Sequence, residues 1–244
     1  MNFLTLNIVD DFKRVILEDN RYMKLVEGFL NTLKITGGAL VIGVIIGIIV
    51  AAVRSSYDKN RESLKMRGGV SYYLLSFFNA ICKVYLTVIR GTPVVVQLMF
   101  IYFVLLTSVQ NGVLVGIIAF GINSGAYVAE IFRAGIMSVD NGQFEAGRSL
   151  GFNYFQTMRF IVIPQMFKAV LPTLLNEFIA LLKETSVAGY VGVMDLTKGG
   201  NIVAGRTFNY VIPLAIVALV YLCFVMLLSW LVGKVERRLR KSER

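Results

Sequence analysis

Histidine is absent from this sequence. That removes the commonest metal ligand and the commonest general base near neutral pH. Histidine-dependent nucleophile chemistry goes with it, and a zinc hydrolase site loses its usual ligand. Cysteine is scarce: Cys82 and Cys223 lie far apart in apolar runs and read as reduced, buried fillers. Charge is scarce too, at 16% of residues against 56% hydrophobic, with a mean hydropathy of +0.68. A soluble domain of this size needs far more polar surface. No G-x-x-x-x-G-K-[ST] phosphate loop occurs, so the chain carries no ATP-binding signature of that kind. There is no second domain, convincing internal repeat or low-complexity tract.

The charge that is present is clustered. The formal net charge is +10, and the basic residues sit in short segments between apolar runs or just after the last one. That is where the positive-inside rule places them. A nucleic-acid surface would pair such charge with an aromatic-rich soluble module, and none is present. The first twenty residues hold Asp10, Asp11, Glu18 and Asp19. They lack the basic start and apolar core of a cleavable signal.

A helix needs about 20 apolar residues to cross the hydrocarbon core. The first such run is Gly28 to Val53, with Lys34 near its start placed to snorkel. Gly43 and Gly47 have the small-xxx-small spacing of close helix contacts, although glycine is frequent in membrane helices generally. A basic loop follows, with Arg54, Lys59, Arg61, Lys65 and Arg67. Tyr72 to Ser108 is too long for one untilted span, and reads as a long helix kinked near Pro93 that crosses over Val94 to Thr107. After a short turn, the third run is Val113 to Phe132. Arg133 to Lys168 is too polar to span lipid. A fourth run, Ala169 to Ser186, carries Asn176, Glu177, Lys183 and Glu184. An external loop, Val187 to Asn209, contains several glycines, and the fifth run is Tyr210 to Val232, with Trp230 as an interface anchor. A basic tail ends the chain.

The pattern predicts an all-α integral membrane protein forming a single transmembrane domain. Its five spans lie at about 28–53, 75–107, 113–132, 169–186 and 210–232, with a cytoplasmic loop at about 138–165. The basic loops and tail place the N-terminus outside and the C-terminus in the cytoplasm of a cell membrane.

The polar loop carries the most specific motif: EAGRSLGFNYFQTMRFIVIP, Glu145 to Pro164. It resembles the EAA loop of ABC importer permeases, in which Glu-Ala-Ala is followed by Gly, Ile and Pro at fixed spacings. Here Glu145, Ala146, Gly147, Gly151, Ile161 and Pro164 occupy those positions, with Gly147 for the second Ala and Ile163 for Leu. RGTPVVVQLMFIYF (Arg90 to Phe103), NSGAYVAEIFRAGIMSVDNGQFEAG (Asn123 to Gly147) and LPTLLNEFIALLKETSVAGYVGVMDL (Leu171 to Leu196) resemble polar amino-acid permeases. The resemblance implies that the loop is a coupling helix docking on a separate ABC ATPase subunit. It also implies a second permease copy, identical or similar, and an external substrate-binding protein. ATP and Mg would then be bound by the ATPase, leaving no cofactor in this chain and no catalysis by it.

The residues of the loop suit that role physically. Gly151 permits a close approach or a tight bend. Pro164 is expected to end the surface helix and begin the next span. Glu145 is expected to pair with a base or cap a helix N-terminus. Phe144, Leu150, Phe155 and Phe160 supply apolar contacts. An ordinary interfacial amphipathic helix has the same features.

A zwitterionic amino acid needs polar partners along its path, weak enough for release. Ionisable groups at membrane depth are costly unless they face a bundle interior or an aqueous path. Gln97, Tyr127, Glu130, Asn176, Glu177, Lys183, Glu184, Thr185 and Ser186 are therefore the candidates, with structural pairing as the alternative. Methionine or an osmolyte is the nearest rival substrate. A self-gating channel would need no coupling loop, and a membrane transferase would need a nucleophile with a base, or a metal site.

Overall fold

Between Lys34 and Arg54 the sequence holds no charge and almost no side-chain hydrogen-bonding group. In lipid such a backbone must satisfy itself, which leaves the helix as its solution. A computed structural model of the chain describes residues 11–67 and 69–241; Asp10 and Arg244 lie outside it. All its regular elements are helical.

After a short π-helical turn, Lys13–Leu17, come α1 (Tyr22–Arg67), α2 (Val70–Gly91) and α3 (Val94–Phe100), the last continued by a π turn, Ile101–Leu105. Next are α4 (Gly112–Ser138), α5 (Asn141–Ser149), α6 (Tyr154–Thr157) and α7 (Ile163–Glu184). The chain closes with α8 (Leu196–Thr207) and α9 (Val211–Lys241). Among the described residues, five helical stretches are long and apolar enough to cross a membrane: Tyr22–Lys59, Val70–Gly91, Gly112–Ser138, Tyr154–Val191 and Val211–Leu239.

The core is the contact of α1 with α4, which run parallel. Gly38 faces Ile117, Gly43 faces Ser124, and Gly47 faces Val128. A Cβ at Gly47 would stand 2.5 Å from Val128 Cγ1. Lipid tails offer no hydrophobic drive between helices, so association rests on close packing of small residues. Ile35, Ala39, Val115 and Phe120 are buried around this seam. Cys82 is buried beside it, but Cys223 is exposed on α9, contrary to the buried filler expected.

Two parallel crossings require a return between them. The second apolar stretch supplies it as two helices, not one kinked helix. Thr92 and Pro93 are extended, with ψ 148° and 136°. Proline lacks an N–H, and its ring disfavours helix in the preceding residue, so α2 ends at Gly91. The apolar piece Val94–Leu105 is too short to cross alone, at about 18 Å against a core of about 30 Å. The crossing expected over Val94 to Thr107 therefore needs the upper part of α2 as well. Tyr85 marks the depth of that part: its hydroxyl donates to the Ile122 carbonyl of α4 at 2.6 Å.

The glycine-bearing segment between α7 and α9 also differs from the expected loop. A 3-10 turn, Thr185–Val191, ends at Gly192 with φ +84°, and α8 follows. Asp195 caps α8, accepting from the Thr197 and Lys198 amides at 3.0 and 3.1 Å. Two of the glycines are contact surfaces: Gly199 packs on the Lys24 carbonyl and Gly200 on Val217.

Candidate coupling loop and path residues

The loop begins with a capped helix. Asp140 accepts from the Gly142 amide at 2.6 Å and opens α5. Glu145, expected as a possible cap, instead sits in mid-helix, exposed, beside a cavity of about 390 Å³ lined also by Asp58, Lys59 and Arg148. At the other end the Phe152 amide donates to the Gly147 carbonyl and the Gly151 amide to the Arg148 carbonyl. That is the Schellman arrangement, which needs a left-handed residue after the helix. Gly151 supplies it with φ +80°, and no described residue lies within 4 Å of where its Cβ would be. Its role is the bend, not close approach. Asn153 and Gln156 then form a capping box for α6.

The departure at Gly147 has a local reason. A Cβ there would stand 2.8 Å from the Thr157 methyl and hydroxyl and 3.2 Å from Ile161 Cδ1. Thr157 takes the space that alanine would fill. Pro164 also behaves differently from expectation. The chain does not break there but stays helical from Tyr154 to Val191. The π turn Met158–Val162 precedes it, closed by the Ile163 amide donating to the Met158 carbonyl. A π turn relieves the spacing that proline would otherwise violate.

Apolar side chains divide into two sets. Phe144 is buried with Phe132, Val162 and Met166, and roots the loop in the bundle. Lys59 covers it, with Nζ 4.4 Å from the ring centroid, and also donates to Asn141 Oδ1. Leu150, Phe155 and Phe160 are bare, 71%, 70% and 61% exposed. A rigid, doubly capped element holding large apolar groups in solvent is built to be covered.

The path candidates fall into separate groups. Gln97 is consumed by the break below it. Its amide nitrogen donates to the Ile89 carbonyl at 2.7 Å, the Thr92 carbonyl at 3.0 Å and the Thr92 hydroxyl at 2.7 Å. Its Oε1 accepts from buried Asn123 at 2.8 Å. It staples α2, α3 and α4. Thr185 is likewise withdrawn: it is fully buried and donates to the Leu182 carbonyl at 2.8 Å. Glu130 pairs with Arg133 at 3.0 Å and Arg90 at 3.7 Å, and Arg133 reaches Asp58 at 3.5 Å. The Arg90 guanidinium also lies 5.9 Å from the Tyr127 ring centroid. Glu177 accepts from Ser124 at 3.1 Å across α7 and α4. Asn176 donates to the Pro172 carbonyl at 3.1 Å, and Asn176 and Lys183 are exposed, with Glu184 and Ser186 partly so.

Sequence reasoning missed Asp58, Lys59, Asn123 and Ser124 as partners of these groups, because each makes its contact across helices far apart in sequence. It also missed the polar cluster at the start of α8. Asp195 is fully buried, and burial pushes its carboxyl above its ordinary range, while the Lys198 and Thr197 amides pull it back. Thr32 Oγ1 accepts from the Leu196 amide, and Asn31 donates to the Met194 carbonyl at 3.0 Å.

Residues 43–241 match the family of binding-protein-dependent transport system inner membrane components. The chain belongs to that family. It is 37% identical over 231 residues to the putative glutamine transport system permease protein GlnP of Rickettsia bellii, covering 93% of this chain and 98% of that protein. It is 35% identical to the arginine transport system permease protein ArtQ of Bacillus subtilis, covering 90% and 94%. A crystal structure of an amino acid ABC transporter superposes with a TM-score of 0.78 at 34% identity, covering 96% of this chain and all of that one. The methionine transporter MetNI superposes at 0.74 with 20% identity, a likeness of fold. As an inner-membrane transport component, the chain presents the capped loop at one end of a multi-pass helical bundle.

Proposed function

We infer that this chain is the membrane-spanning subunit of an ABC importer for a polar amino acid, with the ATPase on a separate polypeptide. The observation that carries the coupling role is the loop: Leu150, Phe155 and Phe160 are held bare on an element fixed by Asp140, Gly151 and the Asn153–Gln156 box. The relatives named for glutamine and arginine transport support the substrate class.

In this reading the N-terminus is outside, the loop and C-terminus are cytoplasmic, and two permease copies enclose the path. An external binding protein delivers substrate, and ATP with Mg is bound by the partner. Of the path candidates, Tyr127, Asn176, Glu177, Lys183, Glu184 and Ser186 keep side chains available to a solute, whereas Gln97 and Thr185 serve the fold. Glu130 is a structural ion pair first.

The test is reconstitution with the cognate ATPase and binding protein in proteoliposomes. ATP-dependent uptake of labelled glutamine or arginine, and not of methionine or an osmolyte, is expected. Uptake of methionine or an osmolyte alone would reassign the substrate, and solute flux without ATP would replace the importer with a channel.

A further inference from the structure

Three cations converge on one cavity that the transport reading does not use. Arg54 of α1 and Lys83 and Arg90 of α2 line a space of about 360 Å³, bordered also by Thr87 and by Glu130 of α4. Glu130 is the one acid in that lining, and it is shared between Arg90 at 3.7 Å and Arg133, from outside the cavity, at 3.0 Å. Arg54 Nη1 donates to Asn79 Oδ1 at 3.1 Å, but its Nε is buried with no partner among the described residues. Lys83 is exposed and is held by no described residue. The cavity therefore keeps an uncompensated positive charge.

Its depth is set by α1. The rise from Lys34 to Arg54 is about 30 Å, the thickness of the hydrocarbon core. Arg54 thus marks one headgroup boundary, and the side chains of Lys83 and Arg90 reach toward it from α2. Around α2, a groove of about 500 Å³ is lined by Phe77, Ile81, Val84 and Val88, a surface fit for an acyl chain.

We propose that this cavity binds the phosphate of an anionic phospholipid of the cytoplasmic leaflet, with an acyl chain along the Phe77–Val88 groove. Basic pockets between membrane helices on that side select anionic headgroups, and phosphate suits the guanidinium fork of arginine. The leaflet rests on the orientation proposed above.

The experiment is native mass spectrometry of the delipidated complex in mild detergent. Phosphatidylglycerol and phosphatidylcholine with the same acyl chains are titrated in turn. The parent retains phosphatidylglycerol in preference to phosphatidylcholine. Affinity falls roughly 5-fold per cation removed, so about 25-fold in Arg54→Gln with Lys83→Gln. Lys83→Arg binds as the parent does, and so does Lys65→Gln, whose charge lies outside the cavity. Equal retention of both lipids, or undiminished binding by the double variant, overturns the proposal. So does displacement of the lipid by inorganic phosphate or free glutamine, which would reassign the cavity to a small anion. If the double variant does not fold, Lys83→Gln against Lys83→Arg decides alone. Lipid retained with uptake absent counts against the transport reading only. Lipid lost with uptake intact counts against this site only.

Discussion

Gly47 and Gly151 sit in opposite surroundings. A Cβ at Gly47 would meet Val128 at 2.5 Å and the Ala129 amide at 3.0 Å, whereas a Cβ at Gly151 would meet no described residue within 4 Å. The first glycine belongs to the α1–α4 seam, closed on itself by small residues. The second belongs to the capped loop between α5 and α6, where the backbone is fixed by caps and the large apolar side chains face out. The seam needs shape and no partner. The loop needs a partner and holds its shape in advance. Ordering an element beforehand lowers the entropy lost on docking, so rigidity and exposure together mark a surface for another chain.

The sharpest way to break the comparison is to fill the seam. Gly47→Val is expected to cost ~3 kcal/mol or more, because the new methyls meet backbone as well as side chain. Thermal unfolding in detergent would show it, and an unchanged midpoint would mean that α1 and α4 do not pack as described. Gly151→Ala is expected to cost less, ~1–2 kcal/mol, through the left-handed backbone alone. Gly151→Asn should recover part of that loss; equal losses in both would point to a spatial clash and contradict the bend.

Asp195 offers a smaller, pH-dependent contrast. Its folded pKa is raised by burial. The carboxyl's favourable contribution is therefore present below the unfolded value of about 3.9 and is lost as pH rises through the folded pKa. Asp195→Asn, which does not ionise, should gain stability relative to the parent as pH is raised from acid to neutral. A gap that is flat with pH would mean that the carboxyl is not desolvated. The smallest effect on folding is expected at the loop. Leu150→Ser with Phe155→Ser should change stability by less than ~0.5 kcal/mol, since both side chains lie in solvent. A large loss would mean that they pack within the fold.

Much of this was legible in advance, for identifiable reasons. Apolar runs dictate helices in lipid, so all five candidate crossings have counterparts in the sequence. The small-xxx-small pair Gly43 and Gly47 does face another helix. Pro93 marked a disturbance, but the sequence alone does not distinguish a kink from a break, and Gln97 read as a path residue because its three acceptors are set by the break itself. Pro164 misled in the other direction: local rules end a helix there, while the π turn before it carries the helix through. The α8 segment read as a loop because of Gly192, Gly199, Gly200 and Gly205. The signal for a helix was also present, in Asp195 as a cap and Leu196 and Val203 spaced for one buried face. Ion pairs such as Asp58 with Arg133 join distant segments and leave no local trace.

The most direct measurement is capture of the cognate ATPase by the detergent-solubilised permease, comparing the parent with Leu150→Ser and Phe155→Ser together, both checked for equal thermal stability. The account predicts stoichiometric ATPase with the parent and little or none with the variant. Equal capture by both, with the fold intact, would contradict the claim that the bare face of the loop is the docking surface.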